Sequence, residues 1–354
     1  MVRGRSVSRD LTFAFPGRLE LNTGGYIYDR RVIAGLSKQG WAVQPMALGE
    51  GFPFPTPDAK ANAEQTLSAL PDGSIVLVDG LAFGILDDWA RREGARLNIV
   101  ALVHHPLALE TGLTDEEKAA FHHSEMQALQ WARHIIVTSP VTARELTAHF
   151  KVNAERITVA IPGIDAVSVE TSSSNTVPQI LSVGNLTPRK GHDILLAALK
   201  QIEDLPWQAT IIGSRDLHPQ TAAQLQAQQR ALGLGGRVVF KGEVESVAPA
   251  FEKADIFALA SRYEGYGMVF AEALAHGLPI VACHARAIPQ VVPEEAGILV
   301  PVDDVAAFAN ALRSLLQDVK LRQEKAEGAR RAGARLPGWD RTSQILSDAL
   351  ETVM

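Results

Sequence analysis

Apolar runs of strand length recur along the chain, and most lead through a loop into a stretch with helical spacing. Residues 11–15, 74–79, 99–103, 135–138 and 157–161 form one series of such runs. Residues 180–183, 209–213, 237–240, 256–260 and 297–300 form a second. Between them, residues 26–37 place Ile27, Ile33 and Leu36 at helical spacing, with Gly40 as the expected stop before residues 41–43 resume an extended course. Residues 115–134 read as an amphipathic helix, with Thr114 as N-cap and acidic residues in its first turn. Residues 143–150, 194–202, the Ala/Gln/Leu-rich segment ending at Leu232, and 304–331 also read as helical. A last helix follows Leu336-Pro337-Gly338-Trp339-Asp340. Strands alternating with helices predict parallel sheets. The rhythm breaks at residues 170–178, ETSSSNTVP, a stretch of linker composition. Two domains are therefore expected, residues 1–170 and 179–336. A chain of 354 residues fits that division, because single cores stop growing near ~250–300 residues.

Composition adds limits. Hydrophobic residues make up 46% of the chain and charged residues 21%, as in ordinary globular proteins. No apolar run approaches the ~18 residues that span a bilayer, and the first ten residues are polar and basic. The expected location is cytoplasmic, with peripheral contact at the inner face of a membrane left open. The single cysteine, Cys283, excludes an internal disulfide and a cysteine-based zinc cluster; within an apolar run it reads as a buried, inert thiol. A net charge of −6 argues against a general nucleic-acid binder. Oligomeric state is not readable.

Residues with chemical potential sit in loops that follow the strands, where ligands of open α/β sheets gather. Gly24 and Gly25 precede the first helix and mark either a turn or a close approach to a ligand. His104-His105-Pro106 close one strand, and Asp79-Gly80 the strand before it. Solvated or capping imidazoles are one reading and ligand contact the other; two adjacent histidines with no third ligand near in sequence make a poor metal site. In the second half, Gly184-Asn185-Leu186-Thr187-Pro188-Arg189-Lys190-Gly191-His192 is a basic loop opening onto a helix. That layout binds anions unless its cations are merely solvated. Further strands end at Gly213 and at Lys241-Gly242. The stretch that organises the chain is residues 254–279, ADIFALASRYEGYGMVFAEALAHGLP: strand, glycine loop, helix. Glu264 and Glu272 frame its turn, eight positions apart, which in a helix corresponds to roughly 10 Å. On spacing alone, two solvated glutamates around a turn remain an open reading.

Glu264-Gly265-Tyr266-Gly267-Met268-Val269-Phe270-Ala271-Glu272, continued by Ala-Leu-Ala-His-Gly-Leu-Pro, resembles the EGFG-type signature of family 4 retaining glycosyltransferases. The resemblance runs from the Gly-Gly loop to the turn containing Trp339. It implies the GT-B architecture, α/β with two doubly wound, Rossmann-like domains facing a cleft. Acceptor would bind the first and nucleotide-sugar the second, with residues 337–354 crossing back to the first as a helix. Glu264 is then implied at the donor sugar, Glu272 at the ribose, and the backbone of Gly265, Tyr266, Gly267, Met268 and Val269 at the diphosphate. Gly24 and Gly25 match the loop where acceptor and diphosphate meet, and His104 matches a histidine beside the reacting carbon. Lys190 matches a lysine that grips phosphate; Gly213, Lys241 and Gly242 match donor-side positions, the last two where the base is recognised. Asn185 stands where the family usually has arginine, so Arg189 is the expected substitute. His105 and Glu110 are the acceptor-side candidates.

The implied reaction moves a hexosyl unit from a UDP- or GDP-sugar to a hydroxyl of a glycan, lipid or small molecule, with retention at the anomeric carbon. His104, Lys190, Arg189 and Glu264 are its expected catalytic groups. No cofactor and no metal are expected, because cations and backbone dipoles stabilise the departing diphosphate and no Asp-x-Asp motif is present. The alternatives are a nucleotide-sugar-binding protein without transferase activity and an epimerase or phosphorylase of the same architecture. Sugar, base and acceptor stay open.

Overall fold

The computed structural model describes residues 9–167 and 175–354. The basic start of the chain and residues 170–174 of the expected linker lie outside the described residues. The chain divides into two compact units, Met1–Gly163 with Pro337–Met354, and Ile164–Leu336. It therefore changes unit earlier than the linker composition suggests. Gly163 is held in the first unit by close packing, since a Cβ there would lie 2.4 Å from the Trp339 nitrogen.

The first unit runs β1 (Asp10–Phe15), α1 (Gly24–Lys38), β2 (Ala42–Ala47), α2 (Pro57–Ser68), β3 (Ile75–Asp79), α3 (Gly80–Phe83), α4 (Asp87–Glu93), β4 (Asn98–Val103), α5 (Asp115–Trp131), β5 (His134–Val137), α6 (Pro140–His149) and β6 (Ile157–Val159). Its six-stranded sheet has the order β2-β1-β3-β4-β5-β6 and is parallel throughout. β3 is buried along its whole length and β4 over all but its first residue, which is why they read as unbroken apolar runs. Two helix boundaries and one unanticipated helix stand out against the sequence reading. α1 starts earlier, because Thr23 takes the extended N-cap conformation and its hydroxyl accepts from the Tyr26 N–H. Gly24 and Gly25 therefore form the first helical turn rather than a loop ahead of it. α5, opened by a capping box between Thr114 and Glu117, stops at Trp131 because His134 already pairs in the sheet opposite Val100. α2 had no signal beyond the Pro-rich loop before it, yet Thr56 and Pro57 supply a standard cap and first residue.

The second unit runs β7 (Gln179–Val183), α7 (His192–Gln201), β8 (Gln208–Ile212), α8 (Pro219–Ala231), β9 (Val238–Gly242), α9 (Ala248–Lys253), β10 (Ile256–Leu259), α10 (Met268–Ala275), β11 (Ile280–Cys283), α11 (Ile288–Val291), β12 (Gly297–Val300), α12 (Val305–Gln317) and α13 (Val319–Gly333). The sheet order is β12-β11-β10-β7-β8-β9. β11 escaped the pattern because it continues the apolar composition of α10; it is buried, Cys283 included. The long helix expected over residues 304–331 is two helices. Asp318 leaves helical conformation (φ −98°, ψ 95°), and its carboxylate caps the Leu321 N–H. Lys241 and Gly242 lie in β9 itself, not behind it. The chain then returns to the first unit as α14 (Trp339–Glu351), packed on α1.

Each sheet order reverses once, between β1 and β3 in the first unit and between β7 and β10 in the second. At such a reversal the connections leave in opposite directions and open a crevice at the carboxyl ends of the strands.

Candidate active site

In the second unit, the loops leaving β7 and β10 flank the reversal. The β7 loop tightens into a 3₁₀ turn, Pro188–Lys190, and ends at Gly191 with φ +63°. A Cβ on Gly191 would stand 2.0 Å from the Ala260 carbonyl oxygen, so glycine is what lets this loop press against the end of β10. The contact delivers both cations to the second loop. Lys190 Nζ donates to Glu264 Oε1 at 2.6 Å, and Ser261 Oγ donates to the same oxygen at 2.7 Å. An Arg189 guanidinium nitrogen lies 3.3 Å from Glu264 Oε2 and donates to the Tyr263 carbonyl at 3.0 Å. Burial alone would raise the Glu264 pKa, but the charges of Lys190 and Arg189, with the Lys190 and Ser261 hydrogen bonds, bring it down to about 2. Glu264 is thus an ionised, buried carboxylate that holds two cations side by side at the switch point. Arg262 braces the pair of loops: its N–H bonds the Arg189 carbonyl, and its guanidinium meets Asp193 and Asp303 at 2.7 Å each.

The helix behind the glutamate starts at Gly267, an N-cap with φ +94° and no capping side chain. Helix N–H groups without a side-chain acceptor, at the positive end of the dipole, suit an anion. Of the remaining expected donor-side residues, Gly213 donates its N–H to the Gly242 carbonyl at 3.0 Å, joining the ends of β8 and β9. Tyr266 is buried, which pushes its phenol up to about 12. Glu272 is half-buried on α10. Asn185 is a structural tie, its side-chain carbonyl accepting from the Ser214 N–H at 3.0 Å.

In the first unit, His104 follows β4, one strand from the reversal. Its Nε2 lies 3.2 Å from Asp29 Oδ1 and 3.2 Å from Asp79 Oδ2. Asp79 closes β3, where its carboxylate also caps the Leu81 N–H; Asp29 is on the buried face of α1 with Tyr28, Val32, Gly35 and Leu36. Tyr28 meets the imidazole edge-on at 5.4 Å, and a Cβ on Gly25 would touch its Cδ2 and Nε2 at 3.6 Å. Burial works against a charged ring, but the hydrogen bonds and charges of Asp29 and Asp79 outweigh it and raise the His104 pKa to about 10. Burial and the neighbouring Asp79 raise Asp29 to about 7, against the pull of His104. His105 Nε2 pairs with Glu110 at 3.0 Å, so these two expected acceptor-side residues meet each other.

Asp29 is the residue the sequence reading passed over. Its signal was present: an acidic residue in the apolar stripe of a helix, where a buried position is expected. One ligand atom from each of Asp29, Asp79 and His104 lies within 4.8 Å of the other two, so the partners that the paired histidines lack nearby in sequence come from elsewhere in the chain. At 3.2 Å the ring pairs with one oxygen of each carboxylate, while Asp29 Oδ2 is buried without a hydrogen-bond partner.

Residues 35–167 match glycosyltransferase family 4, and residues 177–318 match the glycosyl transferases group 1. A D-inositol 3-phosphate glycosyltransferase from Xylanimonas cellulosilytica is 28% identical over 243 residues, 63% of this chain and 58% of that protein. A protein of the same name from Corynebacterium kroppenstedtii is 26% identical over 338 residues, 90% of this chain and 73% of that one. Against five such relatives the chain spans only 55% to 62% of their length. Among solved structures, sucrose-phosphate synthase from Thermosynechococcus elongatus superposes with a TM-score of 0.80 at 20% identity, covering 97% of this chain and 98% of that one. The Anabaena protein HepE in complex with UDP-glucose gives 0.79 at 19% identity, covering 96% and 99%. The fold is that of the GT-B glycosyltransferases, and the chain carries a glycosyltransferase family 4 domain followed by a glycosyl transferases group 1 domain.

Proposed function

We propose that this protein is a retaining hexosyltransferase that takes its sugar from a nucleoside diphosphate, UDP or GDP, without a metal ion. The observation that carries the reading is the junction of Lys190 and Arg189 with Glu264 at the reversal of the second sheet. Two fixed cations beside an uncapped helix N-terminus form a site preorganised for charge that develops on a departing diphosphate. The HepE structures with UDP and UDP-glucose support a donor of this class. In this reading Glu264 and Glu272 serve sugar and ribose, Gly213, Lys241 and Gly242 the base side, and His104 the reacting carbon. The departing phosphate takes the acceptor proton on the same face. The acceptor is a hydroxyl of a glycan, lipid or small molecule; the relatives' name puts D-inositol 3-phosphate first among those to test. No helix among the described residues is long and apolar enough to cross a membrane, which fits an enzyme that meets any lipid acceptor from the side.

The test is incubation of the full chain with UDP- and GDP-sugars and acceptors, D-inositol 3-phosphate included, in EDTA, with the anomeric configuration of product read by NMR. A new glycosidic bond of the donor's configuration is expected. Inversion overturns the mechanism, and activity lost in EDTA and restored by magnesium or manganese overturns the metal-free claim. Donor binding without transfer or hydrolysis would make the protein a sugar-nucleotide binder.

A further inference from the structure

The cluster around His104 has a direction. Only one of the two ring nitrogens, Nε2, faces the carboxylates, and both Asp29 and Asp79 reach that same nitrogen. Among the described residues Nδ1 makes no hydrogen bond, and it is not one of the buried orphan atoms, so it lies on the accessible side of a ring that is 20% exposed. The ring cannot readily turn. Tyr28 stands edge-on beside it, a Cβ on Gly25 would come within 3.6 Å of its Cδ2 and Nε2, and the hydroxyl of Thr138 holds the main chain by donating to the His104 carbonyl at 3.1 Å. A ring flip would put a carbon between two carboxylates. The titratable groups facing the imidazole are Asp29 and Tyr28 from α1 and Asp79 from the end of β3; Tyr26 lies beyond, in the field of both carboxylates.

We propose that Asp29, with Asp79, is a positioning residue that fixes His104 as a cation clamped at Nε2, leaving Nδ1–H as a hydrogen-bond donor to an oxygen of the bound substrate. An imidazole held by one carboxylate usually serves as a base through its second nitrogen. A second carboxylate on the same nitrogen changes that outcome, because each negative charge placed there favours the doubly protonated ring. His104 then cannot accept the acceptor's proton. It contributes a fixed charge and one directed hydrogen bond, while Asp29 Oδ2 is buried and makes no hydrogen bond. Asp29 touches no substrate itself; it acts through the ring.

The substrate half of this inference rests on the reading of His104 beside the reacting centre, whereas the clamp does not, and one experiment separates them. The ring nitrogens of His104 in the full-length, ¹⁵N-labelled protein are followed by NMR from pH 5 to 10, with assignment by His104→Gln. Both nitrogens should keep their protonated signature through pH 8, and Asp29→Asn should move the midpoint down by at least a factor of ten in proton affinity, about 1.4 kcal/mol. The alkaline limb of the kcat/KM profile should move to lower pH in Asp29→Asn than in the wild type, and Asp29→Glu should restore much of the difference. A wild-type ring that is neutral at pH 7, or a midpoint that Asp29→Asn leaves in place, overturns the clamp. If Asp29→Asn fails to fold, the wild-type titration and Asp79→Asn decide the same question. A clamp that titrates as expected while His104→Gln transfers sugar at the wild-type rate overturns the donor-edge role and the proposed function of His104, leaving the clamp standing.

Discussion

Lys190 and Arg189 converge on one carboxylate, so changing any of the three alters the field that an incoming anion meets. A charge-assisted hydrogen bond contributes ~1.5–3 kcal/mol, so Lys190→Ala should weaken UDP or GDP binding by at least tenfold. The same change acts on the free protein. Glu264 is held near 2 in the folded state, against an ordinary value of 4.5. A depressed carboxylate pKa gives stability that is present above 4.5 and lost as pH falls towards 2. Without Lys190 the carboxylate is less depressed, so that stability is smaller and is gone at a higher pH, and the acid-unfolding midpoint of Lys190→Ala should move upward. An unchanged midpoint would mean that the pair does not form in solution. Asn185 carries a related lesson. Replacing it with the arginine usual at that position would add a cation but remove the acceptor of the Ser214 N–H, so the gain in binding comes with a looser end of β8.

At the scale of elements, α5 supports the turn behind His104 through a buried acid. Glu125 is 1% exposed; its Oε2 accepts from the Leu107 N–H at 2.9 Å, and its Oε1 has no partner. Burial raises its pKa to about 8 despite that bond. The folded protein therefore keeps a proton that the unfolded chain releases near 4.5, so this contribution to stability is full below 4.5 and is lost as pH rises through 8. Glu125→Gln keeps the acceptor and removes the titration. Its Tm relative to wild type should rise between pH 5 and pH 9, and parallel Tm curves would show that Glu125 is not the titrating group. Elements were legible where the pattern was clean: the strands of the two apolar series lie within about one or two residues of those observed, because buried parallel strands read as short apolar runs with defined ends, whereas the largely exposed β2 was read only at its start. Legibility failed where one period ran into another, as from α10 into β11, and where a single side chain broke a helix, as at Asp318. It failed differently at the site. Lys190 and Glu264 were readable from their motifs, but their bond was not, and Asp29, Asp79 and His104 come from three separate elements whose adjacency only the sheet order creates.

At the scale of the molecule, the first unit is built from two separated stretches of chain, with the second unit lying between them in sequence. The seam is tight. A Cβ on Gly35 would lie 1.9 Å from Ser343 Oγ and 2.6 Å from its Cβ, and Trp41 donates to Ser347 at 2.9 Å. Helix propensity alone favours Gly35→Ala by up to ~1 kcal/mol, yet the steric conflict opposes it and should win. Gly35→Ala should lower Tm, and Ser343→Gly in the same chain should recover part of the loss; a stabilised Gly35→Ala would mean that α14 does not sit on α1 as described. The order of the chain also has a consequence for how the protein is made. Because α14 is translated after the whole of the second unit, the nascent first unit must wait on the ribosome with the α1 face around Gly35 and Trp41 uncovered. The seam between α1 and α14 therefore closes only once the second unit has been made.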